Sequence, residues 1–447
     1  MATLKKSSRQ DRRLTSIEIT GFKSIAKKTK IDFASLTILS GANSSGKSSV
    51  SQSILLLKQT NEAAYDPGAI LLNGPNVKLT SAKHLLSQLP GLVAEQFIIR
   101  FTFEKNSTEL CYKYAPGKPG ALDIEYIKEY PRDGSPVSLT YTSRSAQIMK
   151  ALVVDIPEDM HDVYLNIIGD SSLKVTRDRC FFSVVANRKF GNKQVRNFET
   201  QFGLITNRRF LKELIHVPGL RGNPERTYAT TATTSGNFPG RFEPYVASLV
   251  SNWEREDPEK FARLTKNLVD LGLTSQIKVQ PIDDTQVEIK VSRLKNLPTE
   301  NEFDHLVSIA DVGFGVSQVL PILVALIVAE PGQYVIIEQP ELHLHPKAQS
   351  KMAAVLAEAI SKGVKVIIET HSNILLQGIQ TLVAEKAIGS GDVALNWFET
   401  TSTGYTKVNS GGLDKIGAFG NWPADFMDVQ LESEAAYLDA VEKAIYS

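Results

Sequence analysis

The sequence predicts a mainly parallel α/β fold, and three observations predict it. An apolar segment, Ile31, Phe33, Leu36, Ile38 and Leu39, ends at Gly41, and the stretch from Gly46 to Gln59 has no further Gly or Pro and sets Val50, Ile54, Leu55 and Leu57 at helical spacing. That is a strand, a loop and a helix in direct succession. Between Asp311 and Thr370 the alternation recurs as a Gly-rich loop, an apolar helix, a strand at Tyr334 to Ile337, a helix at Lys347 to Ser361 and a strand at Val364 to Ile368. Finally, 447 residues with 42% apolar and 22% charged side chains can bury a sizeable core, and at roughly 150 residues per domain they make two or three domains.

Composition excludes several classes. With 50 Lys+Arg against 49 Asp+Glu the net charge is +1, so there is no global pull toward nucleic acid or acidic lipid, and any such binding is local. Cys111 and Cys180 are too few for a disulfide framework or a cysteine-based metal site, which fits a reducing cytoplasm. The longest apolar run, near Val319 to Ala329, is interrupted by Pro321 and stops at Glu330, short of the ~18 residues that span a bilayer, so no membrane partner is expected. Residues 1–13 carry Lys5, Lys6, Arg9, Arg12 and Arg13 without an apolar core behind them and read as a flexible basic arm, not a secretory signal.

In chain order, Ile17 and Ile19 alternate with polar neighbours as a first strand, and the segment from Ile31 to Leu39 reads as a second. Residues 14–105 form the first part of the main domain. Residues 106–215 read as an inserted domain of mixed type, with turn clusters at Pro116 to Gly120 and Pro131 to Pro136. A helix starts at Pro258 with Asp257 as its N-cap and leads back to the main domain, which resumes over 216–405 and is followed by a small C-terminal unit over 406–447. No repeat or heptad run is present, so a long coiled-coil arm is excluded.

The chemistry is concentrated in three places. Gly41-Ala42-Asn43-Ser44-Ser45-Gly46-Lys47-Ser48 has the spacing of a phosphate-binding loop, set between an apolar strand and a helix. Its glycines let the backbone close on an anion, its amides and the helix N-terminus donate to it, Lys47 neutralises the phosphates, and the Ser48 hydroxyl, followed by Ser49, ligates Mg²⁺. A plain Gly/Ser turn is the alternative. The strand Tyr334 to Ile337 delivers Glu338, then Gln339, Pro340 and Glu341, to a strand's carboxyl edge, where open α/β sheets bind ligands and where Glu338 can hold the Mg²⁺ directly or through water. An ordinary acidic loop is the alternative there. Ile368-Glu369-Thr370-His371-Ser372 puts His371 at the next strand edge, placed to sense a γ-phosphate or position water. His343 and His345 resemble a metal pair only superficially, and loop and interface roles are favoured for them over zinc.

These motifs, with Phe22-Lys23-Ser24, Leu72-Asn73-Gly74-Pro75, Leu220-Arg221 to Arg226-Thr-Tyr228, Val312-Gly-Phe-Gly-Val-Ser-Gln and Phe419-Gly-Asn-Trp422-Pro423, make the chain resemble the ABC-type ATPases of the SMC-like group. Within that group it is most similar to stand-alone AAA ATPases related to the OLD (overcoming lysogenization defect) family, whose members carry a small C-terminal domain of this kind. The resemblance implies the ABC-type P-loop ATPase fold with a compact inserted α+β domain, ATP and Mg²⁺ as cofactors, and an ATP sandwich between two subunits. Lys23 and Ser24 then lie at the nucleotide. Gly313, Gly315, Ser317 and Gln318 form the signature loop, with Ser317 reaching the γ-phosphate across the interface.

Two departures from the family pattern matter. Gln339 stands where the catalytic Glu is usual, and an amide cannot take a proton from water, so either Glu341 substitutes or turnover is slow. No convincing Q-loop glutamine is evident; Gln88 is the candidate, with a surface glutamine the equal alternative. Between Lys174 and Arg209, nine Lys/Arg face only Asp178 and Glu199, interleaved with Phe181, Phe182, Phe190, Phe198 and Phe202. This is either a single-strand nucleic-acid surface or, the favoured reading, a core with solvated charges. The resemblance implies a slow ATPase switch controlling a separate nuclease-type effector in an antiphage defence complex of the Septu or PARIS kind, with a RecF-like DNA-repair ATPase as the alternative. A nuclease in this chain itself is disfavoured, because no acidic cluster follows His371.

Overall fold

The computed structural model describes residues 13–132, 135–152, 171–190, 193–201, 205–231, 236–293 and 305–419, with 435, 438 and 441 beyond them. Nearly all of the expected basic arm, and Trp422 and Pro423 of the C-terminal motif, lie outside the described residues. The chain opens with β1 (Leu14–Thr20) and β2 (Thr29–Asp32), an antiparallel pair, and then crosses into another sheet as β3 (Leu36–Gly41). The single strand expected over 31–39 is therefore two strands in two sheets. Between them the Ala34 N–H donates to Thr37 Oγ1 at 3.1 Å, a local bond that turns the chain in the middle of an otherwise continuous apolar run.

The helix Lys47–Glu62 follows β3, and the short hairpin β4 (Gln88–Leu89) and β5 (Leu92–Val93) leads to β6 (Gln96–Phe103), β7 (Asn106–Tyr114), β8 (Leu122–Pro131) and β9 (Val137–Leu139). These last four join the first pair in one antiparallel sheet, ordered β2-β1-β6-β7-β8-β9. The boundary placed at 106 thus falls on a hairpin turn inside a sheet, because β6 and β7 pair from Gln96↔Lys113 to Thr102↔Ser107. The sheet that is separate is smaller: β10 (Ser172–Asp178), β11 (Phe181–Phe190) and β12 (Lys193–Gln201) form three antiparallel strands accompanied by the helices Ser145–Leu152 and Ile205–Glu213, and Phe181, Phe182, Val184 and Phe210 of these elements pack into the same core as the antiparallel sheet.

The chain then returns through β13 (Ile215–Val217) and β14 (Tyr228–Ala229) to the helices Glu243–Glu256 and Pro258–Asp270. The second starts as expected, with the Asp257 carboxylate accepting from the Lys260 N–H at 3.2 Å. After β15 (Ile277–Pro281), β16 (Gln286–Ser292) and β17 (Leu306–Ser308), the helix Phe314–Val328 leads to β18 (Tyr334–Glu338), the helix Pro346–Ser361, β19 (Lys365–Glu369), the helix Asn373–Ala384, β20 (Val393–Thr400) and β21 (Thr406–Gly412). The central sheet has the order β13-β18-β19-β3-β20-β21, parallel except for β21. The first seven residues assigned to a separate C-terminal unit are therefore an edge strand of this sheet.

Alternation along the buried strands sends Leu36, Ile38, Val335, Ile337, Val366 and Ile368 into one core with the helices, and Leu39, Tyr334, Ile336 and Ile367 into another with the antiparallel sheet. Both faces being covered, the sheet can bind ligands only at its ends. Among the described residues no helix is long and apolar enough to cross a membrane. Cys111 and Cys180 are buried free thiols whose pKa burial pushes up to about 12, so neither is a ready nucleophile.

Candidate active site

The loop after β3 is shaped by two glycines. At Gly41, with φ of 139°, a Cβ would lie 2.2 Å from the Phe398 carbonyl of β20, so only glycine lets the chain leave the sheet there. At Gly46, with φ of 102°, it would lie 2.3 Å from Thr406 Oγ1. The loop closes on itself, with Ser45 Oγ donating to the Ala42 carbonyl at 2.8 Å and Lys47 Nζ to the carbonyls of Gly41 at 3.0 Å and Ala42 at 2.5 Å. Burial lowers the Lys47 pKa, opposed by the charge of Glu369. A phosphate entering the loop competes with two neutral carbonyls for this ammonium, an exchange that favours the anion.

Lys23, Ser24 and the loop residues from Asn43 to Ser49 line one wall of a cleft of about 540 Å³, and Gln339, Glu369 and His371 line the other. Seven of the residues singled out as site residues in the sequence do not line it: Gly41, Glu338, Glu341, Gly313, Gly315, Ser317 and Gln318.

The carboxylate that reaches Ser48 is Glu369, not the expected Glu338: Ser48 Oγ donates to Glu369 Oε1 at 2.6 Å. The sheet order explains this, since β19 lies between β18 and β3 and places Glu369 next to both Leu39 and Glu338 in register. Burial raises the Glu369 pKa, and the charges of Glu338 and Glu341 add to that, while Ser48 and Lys47 oppose it. Glu338 is instead held from behind. Its Oε1 accepts from His216 Nε2 at 3.2 Å and its Oε2 from the Gly219 N–H at 3.0 Å. Asn76 Nδ2 donates to His216 Nδ1 at 2.9 Å, which assigns the ring proton to the nitrogen facing Glu338. Burial pushes the Glu338 carboxyl up, but the His216 and Gly219 hydrogen bonds and the Arg221 charge outweigh it and hold it below the usual range.

Gln339 has φ of 47°, donates its N–H to the Glu369 carbonyl at 2.7 Å and lines the cleft. Glu341 Oε1 accepts the His371 N–H at 2.9 Å, so as placed it orients the backbone at His371. Burial and the Lys47 charge lower the His371 pKa, partly offset by the Gly41 carbonyl, so the imidazole is neutral at physiological pH.

The donor set fits a magnesium nucleotide. Ser48 and Glu369 face the loop, Glu338 lies beside Glu369 at the adjacent strand end, and the buried Glu369 Oε2 has no hydrogen-bond partner. Among the described residues no three or more His, Cys, Asp or Glu converge as a protein-only metal cage, and magnesium needs none, since it keeps waters and takes phosphate oxygens. When bound, the ion neutralises charge on the phosphates; Ser48, Glu369 and Glu338 are the groups to hold it.

The Gly-rich turn behaves differently from expectation at one residue. Gln318 is buried, and its Nε2 donates to the carbonyls of Arg221 at 3.3 Å and Gly222 at 3.1 Å, so its side chain serves its own chain and cannot reach across to a partner's phosphate. Arg221 answers by donating to the carbonyls of Gln318 at 3.0 Å, Glu338 at 2.7 Å and Gln339 at 3.2 Å, and burial lowers its pKa to about 10. Ser317 Oγ donates to the Phe314 carbonyl at 3.0 Å and stays near the surface.

His343 packs against the Phe314 ring, and His345 caps the helix Pro346–Ser361, the loop roles anticipated for them. Gln88 is exposed and donates to the Lys83 carbonyl, away from the cleft.

Sequence reasoning missed Glu369, His216 and Thr406. Glu369 carried a signal, an acid closing a buried strand. Thr406 carried none: its Oγ1 bonds Ser24 Oγ and the Ser45 carbonyl, both at 2.8 Å, from a strand some 360 residues away.

Between Lys174 and Arg209 four of the nine cations have described acidic partners. Arg177 pairs with Asp66 at 2.6 Å, Arg179 and Arg208 with Asp178 at 3.1 and 2.9 Å, and Arg209 with Glu213 at 2.5 Å. Phe181 and Phe182 are core residues, closed to bases. The side chains of Arg188, Lys189, Phe190, Arg196, Phe198 and Phe202 lie outside the described residues.

Residues 13–214 match the family described as "AAA ATPase domain", and residues 236–377 the family described as "AAA domain, putative AbiEii toxin, Type IV TA system". No curated protein matches the chain. Among solved structures it is similar to an Smc head bound to the C-winged helix domain of ScpA, at 12% identity and a TM-score of 0.44, covering 90% of this chain and 98% of that one. It is also similar to the SMC head domain from Thermotoga maritima, at 10% identity and a TM-score of 0.36, covering 89% and 98%. A third, an Smc head domain with an extended coiled coil bound to the C-terminal domain of ScpA derived from Pyrococcus furiosus, has 9% identity and a TM-score of 0.39, covering 96% and 99%. The phosphate loop, the acidic strand edge that faces it and the two family matches identify the chain as an ATPase whose residues 13–214 and 236–377 are similar to AAA domains.

Proposed function

We propose that this ATPase is a slow, ATP-gated switch that closes on a second copy of itself and controls a separate nuclease-type effector, as the ATPase subunit of an antiphage defence complex of the Septu or PARIS kind. One observation carries the slow turnover. Among the described residues the only carboxylate lining the cleft is Glu369, committed to Ser48, while the residue after β18 that lines it is the amide Gln339. Glu341, whose Oε1 accepts the His371 amide while its Oε2 has no partner, is the first candidate for general base, with His371 next. Composite sites between copies are supported by the Gly-rich turn bordering a different face from the phosphate loop. The defence assignment leans on the toxin–antitoxin wording of the matching family and on the OLD resemblance.

Gln339→Glu tests the reading. Restoring a carboxylate at the cleft should raise single-turnover hydrolysis by ~10²-fold or more if a missing base limits the rate. An unchanged rate would remove this explanation of slowness. The RecF-like reading would rest on Lys174, Arg188, Lys189, Lys193 and Arg196, since Arg177, Arg179, Arg208 and Arg209 are paired.

A further inference from the structure

Folding assembles a second cationic site that is invisible in the sequence. The turn after the helix Pro258–Asp270, the end of β16 and the start of the helix Pro346–Ser361 meet around a groove of about 590 Å³ that contains Arg293, Lys347 and Lys351, all exposed, and among the described residues no carboxylate lines it. Arg293 Nη2 donates to the backbone carbonyl of Asp311 at 2.6 Å, and Lys351 Nζ donates to that of Asp270. Neither bond cancels a charge. The acids of those same residues are already taken, Asp311 by Arg226 at 2.7 Å and Asp270 by Lys266 at 2.6 Å, and Glu358 farther along is held by Arg263 at 2.7 Å. The amides at the start of the 16-residue helix Pro346–Ser361 add their partial positive charge to the same end of the groove.

We propose that this groove seats the phosphodiester backbone of duplex DNA. Three unneutralised cations in one concavity match a row of phosphates. The apolar lining is aliphatic, Val269, Leu271, Leu273 and Ala348, and the one ring among the described lining residues is His345, held as a helix cap by the Lys347 N–H, so a run of unpaired bases has no stacking platform and the duplex backbone is favoured over a single strand. The site also touches the switch. A Cβ at Gly315 would lie 3.2 Å from Leu273 Cδ2 and 3.6 Å from the His343 carbonyl, so a ligand that shifts the groove wall shifts the Gly-rich turn. DNA would thus act as the trigger, a role that rests on the switch reading, whereas binding itself does not.

The test is fluorescence anisotropy with a labelled duplex of about 30 base pairs, without nucleotide, over a range of salt. Wild-type protein should bind with a steep salt dependence. The variant Arg293→Gln, Lys347→Gln, Lys351→Gln should bind at least tenfold more weakly at 0.1 M salt, its log–log salt slope reduced by about 2 to 3, as expected from ~0.9 counterions per lost phosphate contact. Arg177→Gln with Arg209→Gln, which removes paired cations, should leave the slope unchanged. An unaltered slope in the triple variant, absence of duplex binding by the wild type, or tighter binding to a single strand of equal length would each overturn the proposal. So would capture of polyglutamate in preference to DNA, which would make the groove a seat for an acidic protein. Duplex stimulation of hydrolysis, measured separately, reports on the switch reading alone.

Discussion

Glu369 and Lys47 face one another across the mouth of the phosphate loop, and their protonation states determine what the site can accept. Burial and two neighbouring carboxylates raise the Glu369 pKa, so the folded chain binds this proton more tightly than the unfolded chain. Its contribution to stability is therefore undiminished below the ordinary carboxylate pKa and falls as pH rises from there through the raised value. Glu369→Gln removes the penalty at higher pH. The variant should melt at or above the wild-type temperature at pH 8, with a flatter dependence on pH, while Mg²⁺-dependent ATP turnover drops by ~10-fold or more. A lower melting temperature at pH 8 would mean that the charged Glu369 is fully paired. Lys47→Ala removes the loop's only ammonium, and with charge-assisted bonds contributing ~1.5–3 kcal/mol each, calorimetry should show ATP affinity reduced by at least about tenfold. Wild-type affinity in that variant would dislodge the phosphate-loop assignment.

At the scale of elements, the phosphate loop is clamped between β20, which approaches Gly41, and β21, whose Thr406 bonds Ser24 and Ser45. Thr406→Val keeps the shape and deletes both bonds, a loss of ~1–3 kcal/mol for buried polar groups left unpaired. The expected kinetic result is a KM for ATP raised about threefold to tenfold with kcat changed less, since the lost contact sets loop geometry and touches no reacting atom. A change confined to kcat would argue against a positioning role. Legibility from sequence follows the same division. The loop, β18, β19 and the helix start at Pro258 were readable because glycine spacing, apolar runs and an Asp–Pro cap are local signals. The split between β2 and β3 was not, because one side-chain bond from Thr37 turns an apolar run that has no Gly or Pro. The roles of Glu369, His216 and Thr406 were not readable either, because sheet order decides which strand ends meet, and the pairing of β19 with both β3 and β18 joins residues hundreds of positions apart. Between Lys174 and Arg209 the favoured reading is right for Phe181 and Phe182, which are core, but the partner of Arg177 was not legible, because Asp66 comes from another part of the chain.

For the whole molecule, the proposed switch has a composite site: the Gly-rich turn does not line the phosphate-loop cleft of its own chain, and a nucleotide seated in one copy would be completed by the turn of another. ATP then stabilises the closed pair by the difference between its affinities for the closed and open states, and moving the population from 1:99 to 99:1 takes about 10⁴-fold, or ~5.5 kcal/mol. A slow hydrolase preserves that difference for as long as the nucleotide survives, which suits a switch better than a motor. Ser317 is the residue at which to separate binding from closure, because it lies near the surface at the start of the helix Phe314–Val328 and its hydroxyl bonds only the adjacent Phe314 carbonyl. Ser317→Arg should leave ATP binding to the monomer within about twofold of wild type, yet abolish ATP-dependent association in sedimentation velocity and reduce turnover by ~10²-fold. Association of the variant equal to wild type would place the shared interface elsewhere, and a strictly monomeric wild type whose specific turnover is independent of protein concentration would remove the composite site altogether.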